Sequence, residues 1–175
     1  MQMAIFLFPT ELEARRFGEL CPEADIVISG VGLVETSATL MHLLSQPKLR
    51  DNDIVVLCGI AGTYDDSIER GSVVEVIEEC CVELPERFRK CYRVEPQTSL
   101  RGVRSSSVHR GGECVGDAQI ENMEGAALFA MCQAAGVRCA EIRAVSNIVG
   151  EEFSKWRIDM ATESLAQQLK SIFFK

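Results

Sequence analysis

The sequence predicts an α/β fold in which a layered sheet is flanked by helices. Three observations carry that expectation. Solid apolar runs, such as those at residues 4–8 and 54–58, suit strands buried on both faces. Such runs alternate along the chain with stretches of helical period. The helical stretches also end at residues that cannot continue a helix, Pro47 after the second and Gly136 after the third.

The elements follow in order. A first strand is expected over residues 3–8, and Thr10-x-x-Glu13 then has the form of a capping box that opens a helix over residues 11–20. A strand at residues 25–29 runs through Ser29-Gly30-Val31-Gly32 into a helix over 33–45. The next strand, 54–57, leads into Cys58-Gly59-Ile60-Ala61-Gly62, a glycine-bearing turn, and a further strand is expected over 73–78. Residues 85–119 hold arginines, serines, Gly111, Gly112 and Gly116 with little periodicity, and they read as a loop or excursion. A helix over 124–135, a strand over 139–145 and a helix over 159–174 complete the chain. No internal repeat is present, and 175 residues fit one domain.

Composition narrows the function. With 47% hydrophobic and 25% charged residues the chain can build a real core. Its 18 basic and 26 acidic side chains give a net charge of -8, the wrong sign for neutralising a nucleic-acid backbone, so a small or neutral ligand is expected. The apolar runs fall far short of the ~18–20 residues that cross a bilayer. Residues 1–9 carry no basic side chain and lead straight into Glu11, Glu13, Arg15 and Arg16, unlike a signal peptide, so a cytoplasmic protein is expected. The eight cysteines are scattered without a C-x-x-C pair, and His42 and His109 are far apart. Reduced thiols and no bound metal are the corresponding expectations.

Chemistry is expected at the carboxyl ends of the strands, where an open α/β sheet binds its ligands and glycine lets backbone N–H groups approach them. Gly30-x-Gly32 alone is half of a dinucleotide fingerprint, but Glu35 stands where a third small residue belongs. Glu13 can be a helix cap or a functional carboxylate. Glu124 can equally be a first-turn partner of the helix dipole. In Arg143-Ala144-Val145-Ser146-Asn147 three different polar side chains end a buried strand, which core packing does not require.

Four segments together carry a resemblance: Thr10-Glu11-Leu12-Glu13, Gly59-Ile60-Ala61-Gly62-Thr63-Tyr64, Glu121-Asn122-Met123-Glu124-Gly125-Ala126-Ala127 and Arg143-Ala144-Val145-Ser146-Asn147. In order and content they resemble the signature blocks of the purine nucleoside phosphorylase and nucleosidase superfamily, with the futalosine hydrolases nearest and the methylthioadenosine/S-adenosylhomocysteine nucleosidases next. The resemblance implies a three-layer fold with a central mixed twisted sheet flanked by helices. It implies hydrolysis of a purine nucleoside without metal or organic cofactor, in a homodimer. Glu13 would activate water, Arg143 would position that water or a nearby carboxylate, and Met123 and Glu124 would hold the ribose. Ser146, Asn147 and Trp156 would meet the base, and the turns at Gly30, Gly32, Ala61 and Gly62 would shape the site. Adenine-specific relatives carry aspartate at the position of Asn147, so the amide implies a 6-oxopurine leaving group.

The chain is shorter than the family pattern between Leu20 and Asp25 and between Val103 and Ile120, where relatives supply an aromatic platform for the base. Here that second segment offers Ser105, Ser106, Ser107 and His109, the last either a stacking partner or a solvated loop residue. Ile60 stands where adenosine-type nucleosidases have a serine that helps hold water. Two other readings therefore accompany the first: a methylthioadenosine/S-adenosylhomocysteine nucleosidase, and a nucleoside-binding protein without catalysis.

Overall fold

The computed structural model describes residues 4–46, 53–112 and 117–174. Met3, Pro47, Cys114 and Gly116, which entered the expectations above, lie outside the described residues. The elements are β1 (Ala4–Phe8), α1 (Glu11–Leu20), β2 (Asp25–Ile28), α2 (Leu33–Leu44), β3 (Ile54–Thr63) and β4 (Val73–Cys81). They continue with β5 (Cys91–Arg93), β6 (Arg101–Ser107), β7 (Ile120–Asn122), α3 (Gly125–Ala135), β8 (Arg138–Ile148) and α4 (Ile158–Phe173).

The apolar run of β1 shows how the layers arise. Successive side chains of a strand point to opposite faces. Phe6 and Phe8 pack with Phe17 of α1 and with Leu165, Ala166 and Leu169 of α4. Ile5 and Leu7 pack on the other side with Leu40 and Leu43 of α2 and Leu128 and Phe129 of α3. Both faces are covered, so both must be apolar. The result is a three-layer α/β fold with a mixed sheet at its centre.

Parallel strands β2, β1 and β3 form one side of the sheet. β8 then runs parallel to β3 and antiparallel to β4, β4 pairs in parallel with β6, β6 with β7, and β7 returns antiparallel to β3. Five strands thus close a ring, with β5 on the outer edge of β4.

Three expectations need correction. Residues 59–62 are not a turn beyond a strand but the second half of β3, because β8 pairs with β3 along its whole length, with a register shift between Ala61 and Gly62. The expected loop over 85–119 contains β5 and β6. β6 escaped notice because its buried positions are Val103 and the hydroxyl residues Ser105, Ser106 and Ser107, which leave no apolar alternation to read. The cysteines are not all reduced. Cys80 and Cys91 face one another across β4 and β5 and are joined as a disulfide, a neighbourhood that linear spacing cannot show. Cys21, Cys58, Cys81, Cys132 and Cys139 are free. Among the described residues no helix is long and apolar enough to cross a membrane.

Candidate active site

A cavity of about 700 Å³ opens at the carboxyl ends of β1, β3 and β8, a volume in the usual range for small-molecule sites. Pro9, Thr10 and Glu13 enter it from the start of α1, and Ile60, Ala61 and Gly62 from β3. Met123 and Glu124 enter from the junction of β7 with α3, Ser146 and Asn147 from β8, and Phe153 and Trp156 from the segment before α4. The four resembling segments, spread over more than 130 residues of chain, therefore meet around one space. Among the described lining residues Glu13, Glu121, Glu124 and Glu151 are acidic and none is basic.

Glu13 is buried, yet it faces the cavity. Thr10 caps α1 by accepting the Glu13 backbone N–H at 3.3 Å. The Glu13 carboxylate accepts from the Thr10 hydroxyl at 2.7 Å and, across the gap to β3, from the Ile60 N–H at 3.0 Å. The cap and the functional reading thus use different atoms of the same pair. Burial raises the Glu13 pKa above the ordinary carboxylate value; hydrogen bonds from Thr10 and Ile60 and the charge of Arg143 oppose that rise. The close approach explains Gly59, since a methyl group there would lie 2.6 Å from Arg143 Nη1 and 2.9 Å from Glu13 Oε1.

Glu124 is the N-cap residue of α3, but its side chain does not serve the helix. That task falls to Asn122, whose Oδ1 accepts the N–H groups of Glu124 and Gly125 at 2.8 and 2.7 Å. The Glu124 carboxylate is free to turn into the cavity, where Oε1 accepts from the Gly32 N–H at 2.9 Å and Oε2 from Arg143 Nη2 at 3.2 Å. Gly30 and Gly32 both have positive φ, as a tight glycine turn demands. Neither lines the cavity, and the Gly32 N–H is directed at Glu124 instead of a ligand; Val31 between them does line it.

Arg143 is not in the cavity wall. It is 1% exposed and lies behind the wall, donating from Nε to Glu141 at 2.8 Å and from Nη2 to Asn122 at 3.0 Å as well as to Glu124. Burial works against its charge, but Glu141 and Glu124 outweigh it, and the guanidinium pKa is raised. Its place fits the positioning of a carboxylate, with no direct contact to anything in the cavity.

The lining supplied by β8 and the segment after it carries no charge on Ser146, Asn147, Phe153 or Trp156. Ser146 donates its hydroxyl to Asn147 Oδ1 at 2.7 Å, and Asn147 Nδ2 donates to the Ile148 carbonyl at 3.2 Å, which leaves one amide proton to offer. Trp156 is half-buried and contacts the exposed Phe153 at a ring-centroid distance of 5.1 Å. His109 is exposed beside Glu83, outside the cavity, and takes the solvated position of the two open to it.

Three functional-looking residues were given no role in the sequence reading. Glu121 lines the cavity, accepts a short hydrogen bond from the Tyr64 hydroxyl, and stands with Asn147 on either side of Gly62. Glu141 and its neighbour Glu79 are wholly buried behind the site. The available signal was polar residues inside otherwise apolar strands, Glu141 between Ala140 and Ile142 and Glu121 after Ile120. The potential metal ligands found together among the described residues are Glu78, Cys80 and Cys91, where both sulfurs belong to the disulfide.

The cavity thus brings together a buried carboxylate, a second carboxylate facing a glycine turn and a buried amide. Residues 110–173 match the family model of the phosphorylase superfamily. The futalosine hydrolase of Thermus thermophilus is 45% identical over 56 residues, a match that spans 31% of this chain and 25% of that protein's length. The structure of 5′-methylthioadenosine/S-adenosylhomocysteine nucleosidase from Helicobacter pylori, bound to butyl-thio-DADMe-Immucillin-A, is similar with a TM-score of 0.83 at 15% identity, covering 98% of this chain and 97% of that one. Futalosine hydrolase of Helicobacter pylori gives 0.82 at 15% identity, with 97% and 96% covered. The chain shares its fold with these solved structures, and its residues 110–173 match the phosphorylase superfamily model.

Proposed function

We propose that this chain is a purine nucleoside hydrolase that cleaves the ribosyl N-glycosidic bond with water, releasing a 6-oxopurine. The observation that carries the reading is the meeting of Glu13, Glu124 and Asn147 in one cavity. Glu124 accepts hydrogen bonds from the ribose hydroxyls beside Met123, and these bonds strengthen as positive charge develops on the sugar. Glu13 takes a proton from the water whose oxygen bonds to C1′ as the C1′–N9 bond breaks, and the bonding pair leaves with the base. Trp156 and Phe153 cover the apolar side of the ligand.

The absence of basic side chains from the described lining supports water over phosphate as the acceptor, because an anion beside four carboxylates would be repelled. Asn147 supports an oxopurine, to whose O6 or N7 it can donate, and Glu121 supplies an acceptor suited to a ring N–H. The similarity to methylthioadenosine/S-adenosylhomocysteine nucleosidase structures supports an adenine nucleoside as the second reading. A homodimer is proposed on the exposed Ile28, Val31, Val34 and Met41, an apolar set on β2, α2 and the turn between them. A cytoplasmic location is proposed on the five cysteines free among the described residues, which outnumber the one Cys80–Cys91 pair. Incubation with inosine, futalosine, adenosine and methylthioadenosine, with and without phosphate, tests the reading: free oxopurine without phosphate is expected, and strict phosphate dependence contradicts it.

A further inference from the structure

Behind the cavity lies a group of acids that the proposed reaction does not use. Glu79 of β4 and Glu141 of β8 are both 0% exposed. Glu79 Oε1 accepts from the Ser107 hydroxyl at 2.8 Å and Oε2 from Asn122 Nδ2 at 3.0 Å. Glu141 Oε1 accepts from Arg143 Nε, but Glu141 Oε2 has no hydrogen-bond partner among the described atoms when both acids are drawn as carboxylates. The two Oε2 atoms converge on the Cα of Gly125, where a methyl group would lie 2.3 Å from one and 2.6 Å from the other. The two Oε2 atoms thus crowd the same point of the backbone.

A charge count makes this arrangement informative. Around the single buried guanidinium of Arg143 stand Glu141 on the same strand, Glu124 at the start of α3, Glu13 from α1 and Glu79 from β4. The other titratable groups facing the pair are the thiols of Cys58 on β3 and Cys81 on β4. Four buried carboxylates cannot all remain ionised beside one cation. A proton between Glu79 and Glu141 removes one charge and gives Glu141 Oε2 the donor it lacks. We infer that Glu79 and Glu141 share one proton at neutral pH, and that this acid–carboxylate pair is a positioning device that holds Arg143 against Glu124. Burial raises the pKa of both acids, in keeping with the retained proton.

The kinetic part rests on the hydrolase reading, whereas the protonation part does not. Infrared difference spectra of the whole protein at pH 8 should show the carbonyl stretch of a protonated carboxylic acid in the wild type and lose it in Glu79→Gln. Absence of that stretch from the wild type overturns the proposal whether or not any nucleoside is cleaved. Thermal unfolding supplies a second readout. A carboxyl group whose folded pKa is raised costs stability as pH climbs from its unfolded value toward its folded one. Wild-type stability should therefore fall over that window, and Glu79→Gln, which carries the hydrogen-bond donor permanently, should flatten the slope; an unchanged slope overturns the proposal. In the kinetics, wild-type kcat should decline on the alkaline side as the pair loses its proton, and Glu79→Gln should lack that decline. Glu141→Gln should lower kcat by up to about 10²-fold with little change in KM, the scale of a misplaced reacting group. A Glu141→Gln enzyme with the wild-type kcat and pH profile removes the positioning role.

Discussion

The two walls of the cavity are built differently. On the wall proposed for ribose, Glu13, Glu124 and the Arg143 behind them are buried; Arg143 donates to Glu124 and to the Ile60 carbonyl, the Ile60 N–H donates to Glu13, and Thr10 and Gly32 each donate to one of the two carboxylates. On the wall proposed for the base, buried Asn147 and Glu121 share the lining with half-buried Trp156 and exposed Phe153, and no buried cation stands among them. The first wall is arranged for electrostatics in low dielectric, where a preset charge matters most. The second discriminates by hydrogen-bond polarity and apolar cover, which are worth less per contact. Chemistry and selectivity should therefore separate by wall when residues are exchanged.

The largest effect is expected at Glu13. Glu13→Gln should keep Thr10 as the α1 cap and leave folding nearly intact, while kcat falls by ~10²–10⁴-fold, the scale of a lost general base. Full activity would leave Glu13 as a cap only. Its raised pKa gives a sign for the pH profile as well. The base must be ionised, so kcat/KM should rise with pH through a value above that of an ordinary glutamate. An acid limb at or below the ordinary value would assign the titration elsewhere.

Next comes Glu124→Gln, which replaces a charged acceptor facing two hydroxyls and should cost about 2–3 kcal/mol in kcat/KM. A 2′-deoxy substrate should lose less from the variant than from the wild type, and equal losses would place the ribose elsewhere. On the second wall, Asn147→Asp and Glu121→Gln should each move preference from oxopurine toward adenine nucleosides by about 1–2 kcal/mol. The measurement is the ratio of kcat/KM for inosine and adenosine, and a wild type that prefers adenosine would promote the second reading. The smallest change is expected for Trp156→Ala, an increase in KM equivalent to ~0.5–1.5 kcal/mol with kcat preserved. A loss confined to kcat would move Trp156 to the chemical wall.

The same contrast describes what could be read from residues in line. β1 and the first half of β3 were legible because a strand covered on both faces is apolar, β8 because apolar residues surround its few polar ones, and α1 and α3 because Thr10 and Gly136 mark their ends. β6 was not, because its buried side chains are serines that face buried polar groups: Ser107 and Ser105 bond Glu79 and Asn122. Such a strand is defined by its partners, and those partners are elsewhere in the chain. Arg143 was legible as a polar residue in an apolar strand, but its place behind the wall was not.

The sequence by itself determined the α/β class, the order of the long elements and the residue types that meet the cavity, since periodicity, caps and the four resembling segments are local properties. Tertiary structure alone decided that β3, β8, β4, β6 and β7 close a ring, that Cys80 meets Cys91, and that Asn122 frees Glu124 from its helix. It also decided that Glu79 and Glu141 face the same glycine. These are pairings between residues far apart along the chain. What burial does to a carboxylate depends on every charge and donor brought within a few ångströms of it, and only the folded chain sets those distances.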